Sequence, residues 1–574
     1  MSLSTPRKIV ELAPSFADLF TPKLVTVLRE GYTARHLQSD LLAGLTVAIV
    51  ALPLSMAIAI ASGASPVQGL YTAIVGGFLV SALGGSRFQI AGPAGAFIVL
   101  VATTVQAHGI DGLFLATVLA GVMLVAVGFS RLGGYIKFIP YPVTVGFTAG
   151  IAVIIFASQI REFFGLAVEG AEPVALLDKL PALWRALPTL DPWSTAIAAG
   201  TVLVILGVQR FQPRWPGMLI AVAGAAAFVA LAEPPVATIG SRFGGIPQTL
   251  PLPTLPDLSL DKVKAVLPNA LAFALLGSIE SLLSAVIADG MTGRRHRSNC
   301  ELVAQGIANV ASGLVGGFCV TGTIARTATA IRAGAHGPMT GMTHALFLLI
   351  FVLVAAPLAR HIPLASLAGL LVVVSWNMVE RQAIASLLRA SPGDAAVLVA
   401  TFLLTVFREL TEAIVVGVAL GSVLFIHRMS KATAGESHMP FVAEERADGA
   451  GRDRRPYDET AAKDPDVVVY RISGAFFFGA AASIGAVLES MADRHRVLIV
   501  DFSGVPFLDS TAANTIGGLA RKAGRRGVKV LLSGTDHEMR VELFAHGVKP
   551  PLVGFRTSVE KALLAARRYL ARAA

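Results

Sequence analysis

Between residues 40 and 428 the chain is built from apolar stretches of membrane-crossing length, which leaves few folds open to it. A hydrocarbon core about 30 Å thick needs roughly 20 apolar residues per helix, fewer where a helix is broken. On that measure full spans fall near 40–62, 66–84, 112–131, 141–160, 193–211, 215–232, 266–288, 301–317, 338–359, 362–380, 393–407 and 410–428. Two further apolar stretches, 93–104 and 323–333, are too short to cross. Counting both gives fourteen segments. Charge is divided accordingly: of 47 basic and 37 acidic residues, 37 in all fall in residues 432–574. The body before them is about 11% charged and the tail about 26%, the latter close to the about 25% usual in soluble proteins. The expected architecture is a polytopic α-helical membrane protein with a cytoplasmic α/β tail. Its divisions are an N-terminal segment at 1–38, a membrane domain at 39–430, a linker at 431–465 and the tail at 466–574.

The two short stretches occupy the third and tenth places, which are equivalent if the body is two halves of seven. Leu83-Gly84-Gly85 followed by Ala91-Gly92-Pro93 recurs as Val315-Gly316-Gly317 followed by Thr321-Gly322-Thr323. Ile139-Pro140 after Arg131 recurs as Ile362-Pro363 after Arg360. A shared offset of about 230 residues is the mark of an internal repeat. Because seven is odd, the second half enters the membrane in the opposite sense, which makes a 7+7 inverted repeat.

Orientation follows from the loops. About 40 polar residues, with Arg7, Lys8, Lys23, Arg29 and Arg35, precede the first span, and no apolar core with a small-residue cleavage site lies among them. The N-terminus is expected in the cytoplasm. Short connections on that side then carry Arg87, Arg131, Lys137, Arg210, Arg214, Arg294, Arg295, Arg297, Arg332, Arg381 and Arg389, and the other side only Arg360 and Arg408. That is the positive-inside asymmetry, and fourteen crossings return the C-terminus to the cytoplasm. The formal net charge of +10 is thereby explained by topology, and a nucleic-acid partner is not needed. Cys300 and Cys319 make neither a disulfide framework nor a zinc site, so no metal or other cofactor is expected.

A helix that starts in mid-membrane exposes its first backbone N–H groups, and these need a polar partner. The short stretches open with Gly92-Pro93-Ala94-Gly95-Ala96-Phe97 and with Thr321-Gly322-Thr323-Ile324-Ala325-Arg326-Thr327. Two such N-termini facing each other combine partial positive charge with free donors, an arrangement that favours a small anion. Arg326 adds a full charge. Its alternative is a structural cation paired with a carbonyl or carboxylate. Glu280 lies well inside the eighth span, where an isolated carboxylate must be protonated, paired or coupled to an ion. Ser284 shares its helix face. Glu280 reads either as a proton or sodium site beside the anion or as the structural partner of Arg326. No catalytic triad, metal cluster or phosphate loop suggests an enzyme.

These residues resemble the sulfate permease (SulP) family of anion transporters. The pieces are Leu52-Pro53, Pro66 with Gly69-Leu70-Tyr71-Thr72-Ala73, Gly85-Ser86-Arg87, Gly92-Pro93, Glu280 through Ser284, Asp289 through Gly293, Asn299, Glu301-Leu302, Gln305-Gly306, Asn309 and Ala325-Arg326-Thr327. The resemblance implies core and gate domains, an elevator-like movement of one against the other, and a homodimer. It places the anion against Ser55, Ala94, Gly95, Ala96, Phe97, Ala325, Arg326 and Thr327, with Glu280 and Ser284 in ion coupling. In members most like eukaryotic sulfate carriers, a Gln follows the Leu-Pro of the first helix and a Ser precedes the Arg of the tenth. Here Leu54 and Ala325 stand instead.

The expected activity is proton-coupled uptake of sulfate or a similar small inorganic anion across the bacterial inner membrane, with H+ favoured over Na+. Carriage of bicarbonate, or of dicarboxylates such as succinate or fumarate, is the alternative, as are anion exchange and an anion channel. A uracil or purine permease would share the repeat but normally lacks such a tail.

In the tail, strand-like and helix-like segments alternate: Val467 to Ile472, 480–492, Arg496 to Phe502, 510–524, Val528 to Leu532, 536–545 and 556–571. With Val500-Asp501-Phe502-Ser503-Gly504-Val505 and Leu508-Asp509-Ser510-Thr511 it resembles the STAS domain shared with anti-sigma-factor antagonists. Ser510 matches the position phosphorylated in those antagonists. The simpler reading is that Asp509 or Ser510 caps a helix.

Overall fold

The computed structural model describes residues 16–134, 140–168, 170, 173, 175–212, 215–249, 251–408, 410–435, 466–474, 476–477, 485 and 495–573. Arg7, Lys8, Lys137, Ile139, Arg214, residues 436–465 of the expected linker with Arg452 to Arg455 and, Gly485 apart, the helix expected near 480–492 lie outside them.

Among the described residues, eight helices are long and apolar enough to cross a membrane. In chain order the body comprises α1 (Ala34–Ala61), α2 (Pro66–Leu83), β1 (Ala91–Gly92), α3 (Gly95–Phe129), α4 (Tyr141–Phe164), α5 (Leu176–Ala186), α6 (Pro192–Phe211) and α7 (Gly217–Ala232). There follow α8 (Leu260–Thr292), α9 (Ser298–Leu314), β2 (Thr321–Gly322), α10 (Ile324–Arg332), α11 (Met339–Ala359), α12 (Leu364–Met378), α13 (Arg381–Ala390), α14 (Pro392–Phe407) and α15 (Leu410–Gly435). Two of these, α5 and α13, were not expected: both are amphipathic and fall in what the sequence suggested were connections. The first short stretch is also continuous with the next helix. Gly109, with φ +69°, breaks α3 at a point where a side chain would be strained, so a half-helix and a full span share one element.

The chain forms two compact units. The first holds Met1–Ile136, Glu162–Leu166 and Thr189–Leu370. Its helix α1 begins before the expected 40 because Thr33 caps it, accepting the His36 N–H at 3.4 Å. Asp40 is consequently buried inside the helix and accepts from His336 N, Gly337 N, Thr340 Oγ1 and Tyr32 OH at 2.6–3.1 Å. Helices α3 and α9 cross at Gly121 and Gly306. A β-carbon on either glycine would lie 2.6 or 2.5 Å from the other's carbonyl oxygen, so small residues set this backbone approach. Both cysteines are buried as free thiols.

The second unit holds Lys137–Arg161, Ala167–Pro188 and Leu371–Ala574. The charged tail therefore belongs to the same compact unit as the last membrane helices. In the tail β3 (Val467–Ser473), β4 (Val497–Gly504), β5 (Lys529–Ser533) and β6 (Gly554–Arg556) form a parallel sheet in that order. Helices α16 (Ser510–Arg525), α17 (His537–Ala545) and α18 (Val559–Ala573) complete it. Strand β6, only three residues long, was not expected, and only its last residue, Arg556, falls in the expected final helix. Phe502, Leu508, Ile516, Leu519 and Leu532 lie in the main tail core. Asp509 caps α16 by accepting the Ala512 N–H at 2.9 Å. Ser510 is buried, and its hydroxyl donates to Asp394 Oδ2 in the first turn of α14 at 2.5 Å.

Asp501 is a buried carboxylate on the inner strand β4, opposite Arg471 of β3 and Ser533 of β5, that accepts from Arg471 Nε at 2.7 Å, Ser503 Oγ at 2.8 Å and Ser533 Oγ at 3.0 Å. Burial alone would raise its pKa. The Arg471, Ser503 and Ser533 contacts outweigh burial and hold it below the ordinary carboxylate value.

Candidate functional site

The two stretches that open the half-helices meet as an antiparallel pair, Ala91 opposite Gly322 and Gly92 opposite Thr321. Ile90 ties them further. Its carbonyl accepts from Thr323 N and Oγ1 at 3.0 and 3.1 Å, and its N–H donates to Thr327 Oγ1 at 3.0 Å. From α8, Ser281 Oγ lies 2.8 Å from Thr321 Oγ1 and accepts the Gly322 N–H at 3.2 Å. Ser284 Oγ donates to Thr327 Oγ1 at 3.3 Å. The Ser284 and Thr327 hydroxyls, both buried, thus join α8, α10 and the first half-helix to one another.

Beyond this pair the chain turns in opposite directions into α3 and α10. Among the described residues the amides of Gly95 and Ala96, and of Ile324, Ala325 and Arg326, have no hydrogen-bond partner. Each helix therefore presents its positive end with donors to spare. Ala325 is exposed, so the start of α10 is open, whereas Ala94, Ala96 and Phe97 are buried. The Phe97 ring lies 6.0 Å from that of Phe273 on α8.

Arg326 is 1% exposed. Its Nη2 donates to Ser55 Oγ at 3.2 Å and to the Pro93 carbonyl at 3.1 Å, linking α1, the first half-helix entry and α10. Ser55 in turn donates to the Ala51 carbonyl at 2.7 Å. Nε and Nη1 have no partner. Gly92 permits the approach, since a β-carbon there would fall 2.0 Å from Nη1. The sequence left open a pairing of Arg326 with Glu280. Among the described residues no carboxylate lies within ion-pair distance of Arg326, and the side chain of half-buried Glu280 makes neither a hydrogen bond nor an ion pair. A buried guanidinium with unused donors and no counter-charge is costly unless an anion completes it.

Several residues that shape the site were absent from the expected set. Asn309 acts as a substitute strand edge, donating to the Val320 carbonyl at 2.8 Å and accepting its N–H at 2.9 Å. Ser312 donates to the Phe318 carbonyl at 2.8 Å, and Thr72, in a π-turn of α2, accepts the Phe318 N–H at 2.9 Å. Their signal in the sequence was polarity at helical spacing inside apolar spans.

The fold and its anion-suited cradle define a polytopic transporter of small anions carrying an α/β tail. Residues 37–401 match the sulfate permease family and residues 460–562 the STAS domain, and the chain belongs to the sulfate permease family. It is 40% identical over 525 residues to YvdB of Bacillus subtilis (strain 168), whose name assigns it sulfate transport provisionally, covering 90% of this chain and 95% of that one. It is 31% identical to the bicarbonate transporter BicA of Picosynechococcus sp. over 89% of this chain and 90% of that one. The solved transmembrane domain of a cyanobacterial BicA superposes with a TM-score of 0.61 at 31% identity, covering 67% of this chain and 98% of that one. The murine anion transporter Slc26a9, solved facing inward, superposes with a TM-score of 0.65 at 19% identity over 98% of this chain and 97% of that one, a likeness of fold.

Proposed function

We propose that the protein is a secondary active transporter taking up sulfate or a similar small inorganic anion together with protons across the bacterial inner membrane. The observation that carries this reading is Arg326, buried with two unpartnered nitrogens beside free helix N-termini. The anion is held by Arg326 and the amides of Gly95, Ala96, Ile324, Ala325 and Arg326, with Ser55 and Thr327 orienting the cradle. Glu280 takes up a proton as the anion binds, because the desolvation cost of each charge is reduced by the other. Ser284 fixes the helix face on which Glu280 stands. The fourteen segments are arranged as a 7+7 inverted repeat with both termini cytoplasmic, a core domain that bears the site moves against a gate domain in an elevator-like cycle, and the transporter works as a homodimer.

A second reading takes bicarbonate as cargo, which the likeness to BicA favours, with sodium in place of the proton as its coupling ion. Counterflow in proteoliposomes against sulfate, bicarbonate, succinate, fumarate and chloride, at two pH values with and without sodium, separates the two. Sulfate counterflow stimulated by an inward proton gradient and indifferent to sodium supports the first. Sodium-dependent counterflow confined to bicarbonate overturns it.

A further inference from the structure

Helix α9 carries a line of polar residues, Glu301, Gln305, Asn309 and Ser312, at successive turns of its buried face. Its far end, Asn309 and Ser312, holds the strand that enters α10. Its near end holds the other entry: Glu301 accepts the Ser86 N–H at 2.9 Å, Gln89 Nε2 at 2.9 Å and Gln305 Nε2 at 3.0 Å. Glu301, Gln89 and Gln305 are 0%, 3% and 0% exposed. The Oε1 atoms of both glutamines are buried without partners. Both amides thus turn their donors to Glu301 at the expense of their own acceptors, the arrangement an ionised carboxylate demands.

Gln89 reaches beyond Glu301. Its amide lies against Gly322, where a β-carbon would come 1.9 Å from Nε2, and Gly322 is the residue of β2 paired with Ala91. Two residues later begin the free amides of α10. We infer that Glu301, acting through Gln89, is a positioning residue for the anion cradle: it clamps the Gln89 amide under Gly322 and so sets the spacing of the two half-helix entries. This rests on the anion site proposed around Arg326. Glu301 itself touches no anion.

The test exchanges the two functions. Gln89→Glu places a second carboxylate against the first and breaks the clamp. In purified full-length protein reconstituted in proteoliposomes, half-saturation for the transported anion is expected to rise about tenfold, while the maximal exchange rate changes less than twofold. Adding Glu301→Gln restores a carboxylate–amide pair with roles reversed and is expected to bring half-saturation back to within threefold of wild type. Gln89→Leu, which fills the same space without the amide, serves where the charged variant fails to fold, and is expected to shift half-saturation in the same way with the melting temperature held within a few degrees. Unchanged half-saturation in folded Gln89→Leu, or no recovery in the double variant, overturns the inference. Arg326→Lys measured in parallel keeps the two readings apart. If it weakens binding and the Gln89 variants do not, the site stands and the clamp falls. If none of them weakens binding, the site has been misplaced and the clamp falls with it.

Discussion

Replacing Arg326 by Lys keeps a positive charge but offers one nitrogen where the guanidinium offers three. In the structure Nη2 is already engaged by Ser55 and the Pro93 carbonyl, leaving Nε and Nη1 for an anion. A lysine ammonium that takes over the Ser55 and Pro93 contacts has little left for cargo, so at least one charge-assisted contact is lost. Such a contact contributes about 1.5–3 kcal/mol, which corresponds to roughly 10- to 150-fold in affinity. The variant is expected to raise the half-saturation concentration by that factor, and Arg326→Ala by at least as much, because truncation also leaves the Pro93 carbonyl and Ser55 without their donor. Radiolabelled counterflow at saturating and subsaturating anion reads the change, with size-exclusion behaviour in detergent as the check on folding. If well-folded Arg326→Lys retains half-saturation within threefold for every anion tested, the reasoning from unused buried donors is wrong.

Four further results are expected. Glu280→Gln should abolish uptake driven by a proton gradient while sparing some anion exchange, and unchanged proton-driven uptake would remove Glu280 from coupling. Gly92→Ala should abolish counterflow, since its methyl would collide with the Arg326 guanidinium; wild-type kinetics in that variant would disprove the close approach. Asp394→Leu or Ser510→Ala removes one side of a buried hydrogen bond and should speed proteolytic release of the tail, at a cost of about 1–3 kcal/mol; cleavage rates equal to wild type would show that the bond contributes nothing to docking. The lowered pKa of Asp501 gives a pH signature in the tail. Its stabilisation is complete above the unfolded value of about 3.9 and is lost as pH falls through the lower folded value. Hydrogen exchange of residues 497–504 should show that acid-dependent loss of protection in wild type and not in Asp501→Asn, and identical profiles would exclude Asp501 as its source.

Much of the architecture was written in the sequence as period and length. The two short apolar stretches pointed to half-helices because glycine-led segments of that size between full spans are too short to cross. Arg326 and Glu280 stood out because charge is scarce at that depth. What the sequence could not reveal was tertiary pairing. Whether Glu280 meets Arg326 depends on which faces of α8 and α10 oppose each other, and that is decided by Ser281, Ser284, Thr321 and Thr327, whose hydrogen bonds span about 40 residues of chain or more. Gln89 was invisible for the same reason, since its partner Glu301 lies 212 residues away. Helices α5 and α13 escaped because an amphipathic pattern in a short connection looks like a polar loop, and β6 because three residues carry no periodicity.

Most of the donors in the proposed anion cradle are main-chain amides, and that has a consequence for how the cargo of such a site can change. Side-chain replacement cannot delete a peptide N–H, so the capacity to hold a negative charge survives wide drift of the surrounding sequence. What drift can alter is the shape of the side-chain surroundings, through small residues such as Ala94, Ala96 and Ala325 and the larger Phe97. A lineage built on such a cradle can therefore exchange one anion for another in small steps without passing through an inactive intermediate. Conversion of cargo preference by a few substitutions at these four positions is the engineering route the backbone leaves open.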